Sequence, residues 1–169
     1  MNGQYTVLFL CSENSARSIM AEVVANQLGR GRFQAFSAGS QPAGRVNPMA
    51  LELLANIGLP TEGLHSKSWN EFAAPGAPEM DFIITLCDRA AGEPCPVWPG
   101  HPITAHWSVP DPSAPADDAE QSRRAFQLAL QVLQQRISLM LALRLDALDN
   151  LAIETRISQI GQPPLDKSA

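Results

Sequence analysis

The chain carries no excess of positive charge. Twelve Lys and Arg stand against 17 Asp and Glu, a net charge of −5 over 169 residues. That balance excludes a general nucleic-acid binder and leaves room for a local anion site. No apolar run approaches the ~20 residues that a membrane-spanning helix needs. No basic segment precedes the first apolar stretch, which ends after a few residues, so no secretory signal is expected and a cytoplasmic location is. Internal repeats and low-complexity tracts are missing too. Cysteine is scarce, with three in all. In a reducing compartment such thiols are more often reactive or metal-binding than structural.

What is present is enough for one domain: 45% apolar residues in strands that alternate with helices. Gln4 to Leu10 reads as a short buried strand, and Arg32 to Ser37, Asp81 to Leu86 and Ile103 to Ser108 read as three more. Helices are expected from Ala16 to Leu28 (Ser15 as N-cap, Gly29 as C-cap), from Asn47 and Pro48 to Gly58, and briefly over Lys67 to Phe72. From about Asp117, Phe126, Leu130, Leu133, Ile137 and Leu141 mark one face of an amphipathic helix. A last helical segment, Asp146 to Ile160, is expected to pack on the body or to form a dimer contact. This order implies an α/β fold with a mainly parallel four-stranded sheet, helices on both faces and a helical C-terminal extension. Residues 1–144 would form the domain, and 145–169 the extension and a flexible tail.

The stretch VLFLCSENSARSIMAE carries the chemistry. A strand stops at Cys11 and a helix begins near Arg17. Helix starts leave N–H groups unpaired and carry partial positive charge, so a curled loop there is a ready anion cradle. Arg17 adds a planar, permanently charged fork suited to oxyanions. The same field favours a thiolate at Cys11, to which Ser18 can donate a hydrogen bond. Asn14 tolerates the left-handed backbone a tight loop needs. The plainer alternative makes Cys11 a packed small residue and Arg17 a solvated one. A cation is disfavoured at a helix start, and a bound anion would explain Arg17 there. Cys87 also follows a strand, DFIITL. Ligands of parallel sheets bind at the carboxyl ends of strands, so two thiols at that edge point to one site.

Cysteine, five residues, arginine and then serine resembles the anion loop of tyrosine phosphatases, here placed as in the low-molecular-weight branch. The wider pattern, FSAGS, GRVNPMALELL, DFIITLCDRAAGEPCPVWPG and HWSVPDPS, is similar to arsenate reductases built on that fold. The resemblance spans roughly the first two-thirds of the chain. It implies that Ser12, Glu13, Asn14, Ser15, Ala16, Arg17 and Ser18 bind arsenate or another tetrahedral oxyanion. It implies a relay in which Cys11 attacks arsenate, Cys87 attacks Cys11 to release arsenite, and Cys95 attacks Cys87, a sequence that thiol exchange permits. No tightly bound cofactor is implied. The external reductant would be thioredoxin, or glutathione with glutaredoxin. The segment from Asp88 to Gly100 is expected to change shape on oxidation. Glu13 departs from the glycine common in such loops, and its side chain is expected to point outward.

By the same resemblance Asp111, in Pro-Asp-Pro, is the general acid; the alternative is a turn residue. A weak potassium site is implied at Asn14, Glu22 and Ser37, without the aspartate expected near Ser68. His106 and Trp107 would pack or line the rim. Two rival functions remain. A low-molecular-weight tyrosine phosphatase would use Cys11, Arg17 and Asp111 alone, but Ser113-Ala114 follow the acid where such enzymes carry tyrosines, and Tyr5 is the one tyrosine. A non-enzymatic thiol sensor or a metal- or arsenite-binding module would use the cysteines as ligands. A zinc set of Cys87, Cys95, His101 and His106 has a longer spacing between its cysteines than structural zinc sites have.

Overall fold

The computed structural model describes residues 4–87, 98–113 and 117–162. Four strands form one sheet in the order β2-β1-β3-β4, every neighbour parallel: β1 (Tyr5–Cys11), β2 (Phe33–Gly39), β3 (Phe82–Thr85) and β4 (Ile103–His106). Five helices are described: α1 (Arg17–Leu28), α2 (Pro48–Asn56), α3 (Asn70–Ala73), α4 (Ala119–Leu141) and α5 (Asn150–Ile160). The chain starts in the middle of the sheet, moves out to β2, then crosses back past β1 to β3. The order therefore switches between β1 and β3, and the carboxyl ends of those two strands frame the crevice where such sheets bind ligands.

Alternation along the strands divides the core in two. Val7, Phe9, Phe33, Ala35, Phe82 and Ile84 face α1, α2, α4 and α5. Leu8, Leu10, Ala38 and Ile83 face the other way, onto Trp69, Phe72 of α3 and Met80, with Trp98 at the edge. Along α4, Phe126, Ala129, Leu130, Leu133, Ile137 and Met140 are buried, the stripe the spacing predicts with Leu141 only partly covered. Asn47 caps α2 through the Met49 N–H with Pro48 in the first turn, also as expected.

Two local expectations shift. The short helix starts at Asn70, because Ser68 is drawn into a bridge with Gly39 before the chain turns helical. Ser15 does not cap α1. Ala16 stands at the cap position and no side chain accepts from the first turn. The Ser15 carbonyl takes the Asn47 N–H and its side chain borders the cleft, so the helix start stays open.

The C-terminal segment docks beside β4. Ile153 and Ile157 of α5 are buried while Leu151 is 74% exposed. The Trp107 indole N–H donates to the Ile157 carbonyl at 2.8 Å. Gly161 closes the contact: a Cβ there would lie 2.3 Å from the Trp107 ring and 2.6 Å from the His106 carbonyl oxygen. No helix among the described residues is long and apolar enough to cross a membrane.

Candidate active site

The loop from Cys11 to Arg17 hangs from the end of β1, and its shape is set from outside. The Ser12, Glu13 and Ser15 carbonyls accept from the backbone N–H groups of Gln41, Ala43 and Asn47 at 2.8, 2.9 and 2.8 Å. The Ser66 hydroxyl adds a second bond to the Glu13 carbonyl at 3.0 Å. In a planar trans peptide the C=O and the following N–H point in opposite directions. With these carbonyls turned outward, the N–H groups of Glu13, Asn14 and Ala16 turn inward, toward the open start of α1. Donors arranged in this way can receive an anion. Gly39 makes it possible: a Cβ there would sit 2.5 Å from the Ser12 carbonyl oxygen.

Asn14 is the buried keystone of the loop, with φ of 49° in the left-handed region expected for it. Its carbonyl oxygen takes the Lys67 N–H at 3.0 Å and its amide donates to the Ser18 hydroxyl at 2.7 Å. A hydroxyl has one proton. Ser18, already accepting from Asn14, is left to donate toward the Cys11 sulfur, 2.9 Å away. The Cys11 sulfur thus receives an oriented hydrogen bond while the residue is only 3% exposed.

Around it lies a cleft of about 260 Å³ lined by Cys11, Ser12, Glu13, Ser15, Ala16, Arg17, Cys87, Asp111 and Ser113. Every described candidate for catalysis or oxyanion binding lines it except Asn14 and Ser18, which support the loop from beneath. Cys87 is buried against Cys11, and the Ser12 hydroxyl lies 3.5 Å from the Cys87 sulfur. Arg17 Nη1 donates to the Val109 carbonyl at 2.8 Å, tying its guanidinium to the segment that carries Asp111. One Asp111 oxygen accepts from the Ser113 N–H and hydroxyl at 2.9 and 2.7 Å, which fixes the carboxyl beside the cleft and leaves its second oxygen for a substrate. Glu13 is exposed where it borders the cleft. Cys95, one of the four members of the zinc set, lies outside the described residues.

The oxygens offered to potassium have another cation. Lys67 Nζ lies 3.7 Å from Glu22 Oε1, 3.5 Å from the Ser37 hydroxyl and 3.0 Å from the His65 carbonyl oxygen. Ser37 donates to Glu22 at 3.0 Å. With Asn14 turned onto the Lys67 backbone, these residues do not fit a resident potassium ion; a tethered ammonium stands in its place. Among the described residues no cluster of three or more His, Cys, Asp or Glu could hold a metal. Sequence reasoning missed Lys67, whose signal was a lone cation in HSKSW facing Glu22 from 45 positions away. It also missed Ser113 as the partner of the acid, although the hydroxyl two residues after Asp111 was in view.

Comparison with known proteins agrees with this geometry. The family described as low molecular weight phosphotyrosine protein phosphatase matches residues 6–150. The chain is similar to the arsenate reductase of Bacillus subtilis, 34% identical over 71% of this chain and 82% of that one. It is similar to a glutaredoxin arsenate reductase of Synechocystis sp., 30% identical over 80% of this chain and 95% of that one. Among solved structures, the arsenate reductase of Archaeoglobus fulgidus superposes with a TM-score of 0.58 at 28% identity, over 78% of this chain and 98% of that one.

Proposed function

The chain belongs to the low molecular weight phosphotyrosine protein phosphatase family, and on that premise we propose that it reduces arsenate to arsenite. The observation that carries the reading is the second thiol. A phosphatase needs one nucleophilic cysteine, whereas this cleft holds two cysteines in contact at adjacent strand ends. The names of its relatives from Bacillus subtilis and Synechocystis sp. support the same substrate.

The residues divide the work. Inward N–H groups and the Arg17 fork hold the oxyanion, and the Cys11 thiolate attacks arsenic. Asp111 gives its proton to the departing oxygen, which leaves as water. Cys87 then attacks the Cys11 sulfur. The sulfur–arsenic bond breaks, its electron pair stays on arsenic, arsenite departs and a Cys11–Cys87 disulfide remains. Two thiols have supplied the two electrons. Cys95 attacks Cys87, frees Cys11 and leaves a Cys87–Cys95 disulfide for an external reductant. We favour thioredoxin, since a closed internal disulfide gives it a target; glutathione with glutaredoxin is the rival donor. The phosphatase alternative is poorly supplied: no aromatic residue is among the described residues that line the cleft.

The test is NADPH consumption with arsenate, thioredoxin and thioredoxin reductase, for the wild type and Cys95→Ser. Turnover in the wild type that is lost in the mutant is the expected result. Turnover only with glutathione and glutaredoxin would change the donor. No turnover with either donor, together with hydrolysis of an aryl phosphate, would return the protein to phosphatase chemistry.

A further inference from the structure

The backbone between β4 and Asp111 is held at several points. Trp107 and Val109 donate to the Thr85 and Leu86 carbonyls at 2.8 and 2.9 Å. The Trp107 indole is fastened to α5. The Ser108 and Val109 carbonyls, just before Pro110 and Asp111, are each taken by a guanidinium. Arg17 of the anion loop takes Val109, and Arg136 Nη1, from the middle of α4, takes Ser108 at 2.8 Å. The arginines at 123, 124 and 144 pair instead with carboxylates.

Arg136 is half-buried, and burial lowers its pKa from the ordinary arginine value. Its guanidinium gives up hydration and faces a neutral carbonyl, an exchange in which desolvation offsets much of the hydrogen bond's gain. Stability is thus a weak reason for the arrangement. Placement is a stronger one. The bonded carbonyl lies three residues before Asp111, and the rigid fork of arginine fixes direction as well as distance.

We propose that Arg136 is a positioning residue for the reaction: its bond to the Ser108 carbonyl, opposite the Arg17 bond to Val109, sets the acid loop so that Asp111 meets the departing oxygen. This rests on the reading of Asp111 as the general acid. It does not depend on arsenate being the substrate, because the same acid serves any ester held by the loop. Misplacing a catalytic group by about 1 Å costs on the order of 10²-fold.

The test uses Arg136→Met and Arg136→Lys in the full chain with a series of aryl phosphates, from phenyl to 2,4-dinitrophenyl phosphate. The readout is kcat/KM, which reports the step that expels the leaving group. Arg136→Met is expected to lose about 10- to 100-fold on phenyl phosphate, whose phenolate needs a proton. It should stay near wild type on the dinitrophenyl ester, whose leaving group needs none. Arg136→Lys keeps a donor but not the fork and should recover part of the loss, and inhibition by inorganic phosphate should not change. An equal fall across the series, weakened phosphate inhibition, or wild-type behaviour throughout would overturn the proposal. Arsenate is absent from this assay, so failure of the arsenate reading would show only in the coupled assay above.

Discussion

The two ends of the β1–β3 pair solve one problem in opposite ways. At the amino end, the N–H of Thr6 needs an acceptor, and the Asp81 carboxylate supplies it at 2.8 Å. The Thr6 hydroxyl accepts from the Asp81 N–H at 3.0 Å and donates to the Glu79 carbonyl at 2.7 Å, closing a small polar knot. At the carboxyl end, the loop after Cys11 has its carbonyls tied outward, and no side chain caps the start of α1. One end carries its own anion. The other keeps its donors for an anion that comes and goes. Unsatisfied donors reduce stability, so a fold keeps a set of them at one place only where binding compensates.

Three substitutions sharpen this contrast. The largest effect is expected at the open end. Arg17→Ala removes a charged fork from the anion and should lower kcat/KM for arsenate by about 10³-fold, with phosphate binding lost as well. A wild-type affinity for phosphate in that variant would mean that the loop N–H groups suffice. Lys67→Met comes next, beside the loop. It strips the cation from a mostly buried Glu22 and should cost about 2 kcal/mol, roughly 4–8 °C in Tm. Potassium added to that variant, compared with sodium, should recover part of the loss, whereas the wild type should not distinguish the two ions. The smallest effect belongs to the closed end. Asp81→Ala should cost about 1 kcal/mol, ~2–4 °C, with kcat/KM unchanged. A loss of turnover there would break the division between a stabilising end and a working end.

The sequence displayed the working end far better than its supports. Parallel pairing and the placing of Cys11 and Cys87 at one sheet edge follow from local signals, apolar runs that stop at a thiol with helices between them, whereas the order β2-β1-β3-β4 does not. The left-handed Asn14 was legible for the same reason, since the constraint lies within the residue itself. Lys67, Gly39 and Arg136 were not legible. Each matters through a partner 27 to 45 positions away, Arg136 through Ser108, Gly39 through Ser12 and Lys67 through Glu22. Nothing local distinguishes a lysine that neutralises a buried carboxylate from one on a solvated face. Ser15 misled because a serine ahead of a helix is ordinarily a cap, and here the anion site needs the helix start left open.

The bond from Trp107 to Ile157 also bears on how the chain is made. Synthesis runs from the amino end, and β1, β2 and β3 pair using residues that emerge early. The edge strand follows, but its tryptophan lacks both its acceptor and the Gly161 contact until some 50 further residues have been added. Until then the most voluminous fully buried side chain among the described residues has Phe9 of β1 beside it but lacks the cover of α5. A nascent chain stalled before residue 157 should therefore hold a paired sheet with an exposed indole, the sort of surface that chaperones bind.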